Sequence, residues 1–255
     1  MYMKMLSVAA FAAACSFASA SEAVIQVDPA TLTGSAFVDF EDLGLANNET
    51  QNSDGTFESG TVLFGAQFAG QTKGISGDFD TLSGSPTGPL TLLNDVANEN
   101  IVIVDGGDGN AGNTAIAGLG PRAYPNADAV GEGSIAMLFD FDQSEFGFDL
   151  IGGNSGSVTL QFFSRAGSLL SEIFIASVAG TLSLGFETDD GSLSIAGVVI
   201  TNGDLGGIGV DNIRSDVRGV VGPPPTVSEV PLPSAALLMG FGLAGFGAMK
   251  RKKKA

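Results

Sequence analysis

The sequence predicts an all-β body, an antiparallel sandwich or barrel, set between an N-terminal signal peptide and a C-terminal transmembrane helix. Three observations carry this reading. Apolar and polar residues alternate in short runs, most clearly after residue 133. Gly- and Asp-containing turns separate those runs at a spacing of about 8–12 residues, the rhythm of sandwiches and barrels. No long stretch combines helical periodicity with caps, whereas both chain ends are apolar and carry basic residues at one flank.

The chain begins "MYMKMLSVAAFAAACSFASASEA". Lys4 gives a positive start, and Leu6 to Ala18 form an apolar core. Ala18-Ser19-Ala20 is a small-residue cleavage site in which Ala18 and Ala20 are the residues read by signal peptidase. Residues 1–20 are therefore expected to be a secretory signal peptide. Lipoprotein processing at Cys15 would need a bulky aliphatic three residues earlier, where Ala12 stands.

One body domain is expected at 23–215. In its first half, residues 35–43, 61–69 and 100–104 read as strands, and 44–60 and 105–132 as long polar loops. In its second half, "GSIAMLFDFD" (133–142) places Ile135, Met137, Phe139 and Phe141 on one face. "EFGFDL" (145–150) and "GSVTLQFF" (156–163) alternate in the same way. "SLLSEIFIASV", "TLSLGFE" and "SLSIAGVVIT" follow. The alternating Phe residues are core material. Residues 216–229 contain a Pro triplet and read as a semi-extended linker.

The last segment, 230–255, contains an apolar run, Ser234 to Met249, then Lys250, Arg251, Lys252, Lys253 and Lys254. As a helix, that run spans about 24 Å at 1.5 Å per residue, short of the roughly 30 Å hydrocarbon core. Counted from Val230 it is marginal. The basic cluster is expected to stay cytoplasmic with the body outside.

Charge and composition exclude several functions. Between Ser21 and Glu229 there are five Lys and Arg (Lys73, Arg122, Arg165, Arg214, Arg218) against 28 Asp and Glu, a net −23. Such a body repels phosphate backbones, so nucleic acid is not an expected partner. His is absent, which removes Ser-His and Cys-His nucleophiles and His-based metal sites. Cys15 is the only Cys, so the processed body would hold no thiol or disulfide.

The string "VPLPSA", an apolar helix and "KRKKK" at the extreme terminus resemble the VPLPA-CTERM sorting signal, a variant of the PEP-CTERM signals read by exosortases in Gram-negative bacteria. Val230, Pro231, Leu232, Pro233 and Ser234 stand at the motif, with Ser234 where Ala is usual. The resemblance implies a partner, exosortase, and a route. The exported protein is held transiently in the inner membrane with its body in the periplasm, cut near the Pro-Leu-Pro motif, and released to the cell surface or extracellular matrix. Pro231 and Pro233 suit this, because they hold the segment extended.

"VDFEDL" and "GGIGVDNIRS" resemble the jelly-roll domains common in PEP-CTERM proteins, similar to carbohydrate-binding-module and galactose-binding folds. In such sandwiches the first and last strands can meet and share a structural Ca²⁺. Asp39, Glu41, Asp211 and Asn212 are the candidate oxygen ligands; the competing reading is surface charge in a very acidic protein. "DGGDGN" (105–110) offers Asp105, Asp108 and Asn110 but reads as a turn. Asp140, Asp142 and Glu145 offer a carboxylate pair of the kind a glycosidase needs, although 28 acids make chance pairs expected.

Three functions remain: a non-enzymatic surface or matrix protein, a lectin-like module with exopolysaccharide as its candidate partner, and a secreted glycoside hydrolase. The first is favoured. Sugar platforms usually rest on exposed Trp or Tyr. Trp is absent, and Tyr124 is the one Tyr beyond the signal peptide.

Overall fold

A computed structural model of the protein describes residues 23–106 and 112–217. The segments expected to be a signal peptide (1–20), a linker from residue 218 and a sorting signal (230–255) lie outside the described residues, as do Asp108 and Asn110. Among the described residues no helix is long and apolar enough to cross a membrane.

The body is all-β and antiparallel, sandwich-like, with 16 strands among the described residues. The first eight are β1 (Val24–Val27), β2 (Ala36–Val38), β3 (Thr50–Ser53), β4 (Phe57–Ser59), β5 (Val62–Gly65), β6 (Gln67–Phe68), β7 (Thr72–Ser76) and β8 (Phe79–Ser83). The rest are β9 (Leu92–Leu93), β10 (Ile101–Asp105), β11 (Thr114–Gly118), β12 (Ile135–Gln143), β13 (Glu145–Phe163), β14 (Leu169–Thr188), β15 (Ile195–Asn202) and β16 (Ile208–Ser215). Short 3₁₀ turns occur at Pro29–Thr31, Glu41–Leu43 and Ala127–Ala129.

Hydrogen bonds link twelve strands into one continuous path, β3-β10-β11-β16-β13-β15-β12-β5-β4, with β14 also on β13, β1 on β14 and β2 on β16. The path is continuous because β13 and β14 serve two layers. The first half of β13 pairs with β16, from Phe146↔Ser215 to Gly152↔Ile208. Its second half pairs with β15, from Val158↔Asn202 to Phe163↔Gly197. Phe146 and Phe162 are 16 residues apart on this strand, which is about 50 Å if straight, yet their ring centroids are 5.9 Å apart. The hairpin is therefore bent so that its halves face each other across the core.

The bend falls where the β13–β14 register shifts, between Gly152 and Gly156 and again before Val158. Buried Asp204 holds it: the carboxylate accepts the Asn154, Gly156 and Gly206 N–H groups, each at 2.8 Å. Bulges of this kind are how strands switch sheets at a sandwich corner.

The main core fills the space so enclosed. Phe146 contacts the rings of Phe139, Phe148, Phe162 and Phe186 at 5.3 to 5.9 Å, and all five rings are buried. Each such pair adds about 0.5–1.5 kcal/mol beyond area burial. Outside the layers, the β7–β8 hairpin is fastened by ions. Lys73 lies in a nest of Asp80, Asp95 and Glu99, and Arg122 in one of Asp78, Asp128 and Glu132.

The structure departs from the expected strands in several places. The runs at 145–150 and 156–163 are one strand, and "SLLSEIFIASV" and "TLSLGFE" are another. The run 35–43 forms a strand only to Val38, then a 3₁₀ turn after Phe40, whose φ is 60°. The loop expected at 44–60 contains β3 and β4, and that at 105–132 contains the wholly buried β11.

Candidate functional site

Residues 28–35 run from β1, which lies on the last part of β14, to β2, which lies on β16. To get there they cross the outer face of the first layer as a strap. Two glycines make room for it. A Cβ on Gly147 would stand 2.5 Å from Leu32 Cδ1 and 2.6 Å from Leu184 O, and one on Gly185 would stand 3.0 Å from Pro29 Cα. Glu145 pins the strap: its Oε1 accepts from the backbone N–H of Thr33 and of Gly34, and from Thr33 Oγ1 at 2.8 Å.

Strap and sheet enclose a cleft of about 360 Å³. One wall is Pro29, Ala30 and Leu32; the floor is Gly147; the far side is Phe37, Asp149, Ser183, Asn212 and Arg214. Phe37 and Arg214 are directly opposed across β2 and β16. Opposed residues present their side chains on the same sheet face. Phe37 is 52% exposed although Phe is mostly core in this fold. Arg214 is also exposed and, unlike Lys73, Arg122 and Arg165, makes no ion pair among the described residues.

The first and last long segments of the body do meet, as "VDFEDL" and "GGIGVDNIRS" suggested: Val38 pairs with Ile213 and Ala36 with Ser215. On the same edge of β16, β11 pairs at Val210 and Gly209, so Asp211 and Asn212 occupy the gap between two partners. Asn212 has a φ of 52° and sits where the β13–β16 register shifts.

These residues form a hydrogen-bonded network. Asn212 Nδ2 donates to Asp149 Oδ2 at 2.9 Å and to Asp211 Oδ2 at 3.1 Å, standing between the two carboxylates. Asp211 Oδ1 accepts the Asn212 N–H at 2.6 Å, and Asn113 Nδ2 donates to Asp211 Oδ2 at 3.2 Å. Glu41 accepts the Thr114 N–H at 2.8 Å. Burial pushes the Asp211 carboxyl up to about 6, and the nearby Asp149 and Glu41 charges add to the effect.

The expected Ca²⁺ ligands fit this metal poorly. Asp39 turns to the Glu41 N–H at 3.3 Å. The Asn212 amide nitrogen stands between the two aspartates, the Asp211 oxygens accept N–H groups, and Glu41 accepts the Thr114 N–H and hydroxyl. Ca²⁺ takes 6–8 oxygens; among the described residues no group of three or more acidic, His or Cys side chains is placed to hold a metal.

Two other acidic strings resolve into structural roles. Asp105 is 4% exposed at the end of β10 and accepts the Asn48 and Gly112 N–H groups, clamping two loops. Asp142 is held by Arg165 Nε at 2.8 Å and Nη2 at 2.7 Å. Sequence reasoning missed Asp149, Phe37 and Asp204. Asp149 alternates out of a Phe-rich strand and Asp204 sits in an Asn-Gly-Asp turn, two signals available beforehand; the exposure of Phe37 left none.

Residues 229–252 match the family model described as PEP-CTERM protein-sorting motif. The sorting and basic-tail residues Val230 to Ser234 and Lys250 to Lys254 lie within or at the edge of that match, outside the described residues, as do Ala18 and Ala20. The match supports an exported protein sorted through its C-terminus. A search of curated proteins finds no match. Among solved structures the chain is similar to a glycoside hydrolase family 43 arabinoxylan arabinofuranohydrolase from Bacillus subtilis in complex with cellotetraose. The identity is 12% and the TM-score 0.23, over 64% of this chain and 53% of that one. The chain thus spans about half the length of that enzyme.

Proposed function

We propose that this chain is a non-enzymatic protein of the cell surface or extracellular matrix, with a jelly-roll-like body, processed at its C-terminus by an exosortase. The observation that carries the reading is the sorting-motif match at 229–252, placed after the β body. The tail anchors the body transiently in the inner membrane, and cutting near Pro231-Leu232-Pro233 frees it.

The non-enzymatic part is supported by chemistry. The chain has no His and no Cys beyond Cys15. Of the three carboxylates that suggested a glycosidase pair, Asp142 is ion-paired with Arg165 and Glu145 is occupied by the strap, so no second carboxyl of the set is available to the exposed Asp140. General acid–base pairs need one carboxyl free to donate and one free to accept.

Localising the tagged body in its native cells tests the reading. Deleting residues 230–255 is expected to send the body unanchored into the medium. Replacing Pro231 and Pro233 with Ala is expected to leave unprocessed chain in the inner membrane. Normal processing after the Pro changes would overturn it.

A further inference from the structure

We propose that the cleft under the strap binds a neutral hexopyranose unit of an extracellular polysaccharide. A pyranose presents hydroxyls at its rim and an apolar C–H face, and the cleft matches both. Phe37 offers an exposed flat ring. Beside it Arg214 carries a planar fork of five N–H donors with no carboxylate to saturate them. Each Asp149 oxygen accepts one hydrogen bond, from Ser183 Oγ at 2.5 Å and from Asn212 Nδ2, leaving further lone pairs for hydroxyl donors. The volume lies within the roughly 300–1,000 Å³ of small-molecule sites.

Charge selects among sugars. Three of the four described cations, Lys73, Arg122 and Arg165, are ion-paired with carboxylates, so an arginine left unpaired in a −23 body is an exception that needs a ligand-side reason. That reason is not an anion. The body's field and the adjacent Asp149 and Asp211 repel one, whereas hydroxyls donate to carboxylates without a charge cost. Gly147 lets the strap lie close on the sheet, and the strap supplies a wall that Glu145 holds in place, so the site is preformed.

This inference rests on the surface-protein reading only for where the sugar is met. Binding by the purified chain does not need the tail to be cut, so either can fail alone. The test uses detergent-solubilised full-length chain titrated by calorimetry with gluco-, galacto- and manno-configured neutral tetrasaccharides and their uronate counterparts. Saturable binding of at least one neutral probe is expected, weakened at least tenfold by Phe37→Ala and by Arg214→Ala. Arg214→Lys, which keeps charge but not the fork, is expected to weaken it severalfold. Glu172→Ala, which alters a different groove beside β8, is expected to leave it unchanged. Thermal midpoints of the variants confirm folding. Absence of saturable binding, or cleft variants that bind as the parent does, overturns the proposal. Uronates binding more tightly than neutral sugars overturn the assignment of a neutral ligand.

Discussion

Asp211 shows how one residue ties the hydrogen-bonded network on β16 to pH. Its carboxyl is 1% exposed, and its pKa is raised from 3.8 to about 6. Asp80, desolvated beside Lys73 and only partly relieved by it, is raised to about 6 as well. A carboxyl with a raised folded pKa takes up a proton more readily folded than unfolded. Its contribution to stability is therefore present below pH 3.8 and lost as pH rises through 6. Each site costs on the order of 1–3 kcal/mol at pH 7. Urea unfolding is expected to show a more stable body at pH 5 than at pH 7, because the exposed acids with lowered pKa, Asp54 and Asp190, act the other way only at more acid pH. A midpoint that rises steadily from pH 5 to 7 would contradict this.

At the scale of elements, the bent β13–β14 hairpin organises the rest, and Asp204 is its fastener. Asp204→Ala removes one buried carboxylate that accepts three part-buried N–H groups, and each hydrogen bond lost to a charged group is worth about 1.5–3 kcal/mol before water replaces it. A loss of about 2–4 kcal/mol in denaturant unfolding is expected, whereas Asp190→Ala on an exposed turn is expected to stay within about 0.5 kcal/mol. The same hairpin shows what the sequence made legible. Period-two runs identified Ile135, Met137, Phe139, Phe146, Phe148, Leu150, Val158, Leu160 and Phe162 as inward, since burial on one face of a strand writes directly into alternation; Phe141, expected on the same face, is only half-buried because the β12–β15 register shifts after Leu138. The joining of two runs into one strand did not show, because Gly152 to Gly156 read as a turn when they are a bend within continuous pairing. β11 escaped for a different reason: "TAIAG" is short, buried on both faces and bounded by polar loops, so it has no alternation to see. The cleft was half legible. The meeting of the two terminal strings followed from resemblance, but Asx-type side chains there looked like metal ligands, and only coordinates show an amide nitrogen between the carboxylates.

Across the whole molecule, two opposing demands are met in different places. Negative charge is spread over the surface, where it self-repels and holds the body in solution, while cohesion comes from one aromatic core shared by both layers. Phe146 and Phe186 enter it from one layer and Phe162 from the other, with Phe162 and Phe186 5.0 Å apart. Because the largest cluster is shared by both layers and only smaller ones, such as those around Phe163 and Leu119, belong to one layer, neither layer is expected to unfold alone. Heating or denaturant is expected to give one transition, coincident by far-UV circular dichroism and by loss of compactness. Phe162→Ala is expected to lower the stability of that single transition by about 3–5 kcal/mol. Phe174→Ala, on a strand of the same layer but 65% exposed, is expected to change it by no more than about 0.5 kcal/mol. Two resolved transitions, or a Phe162→Ala effect confined to one of them, would show that the layers are held separately and that the bent hairpin links two cores instead of enclosing one.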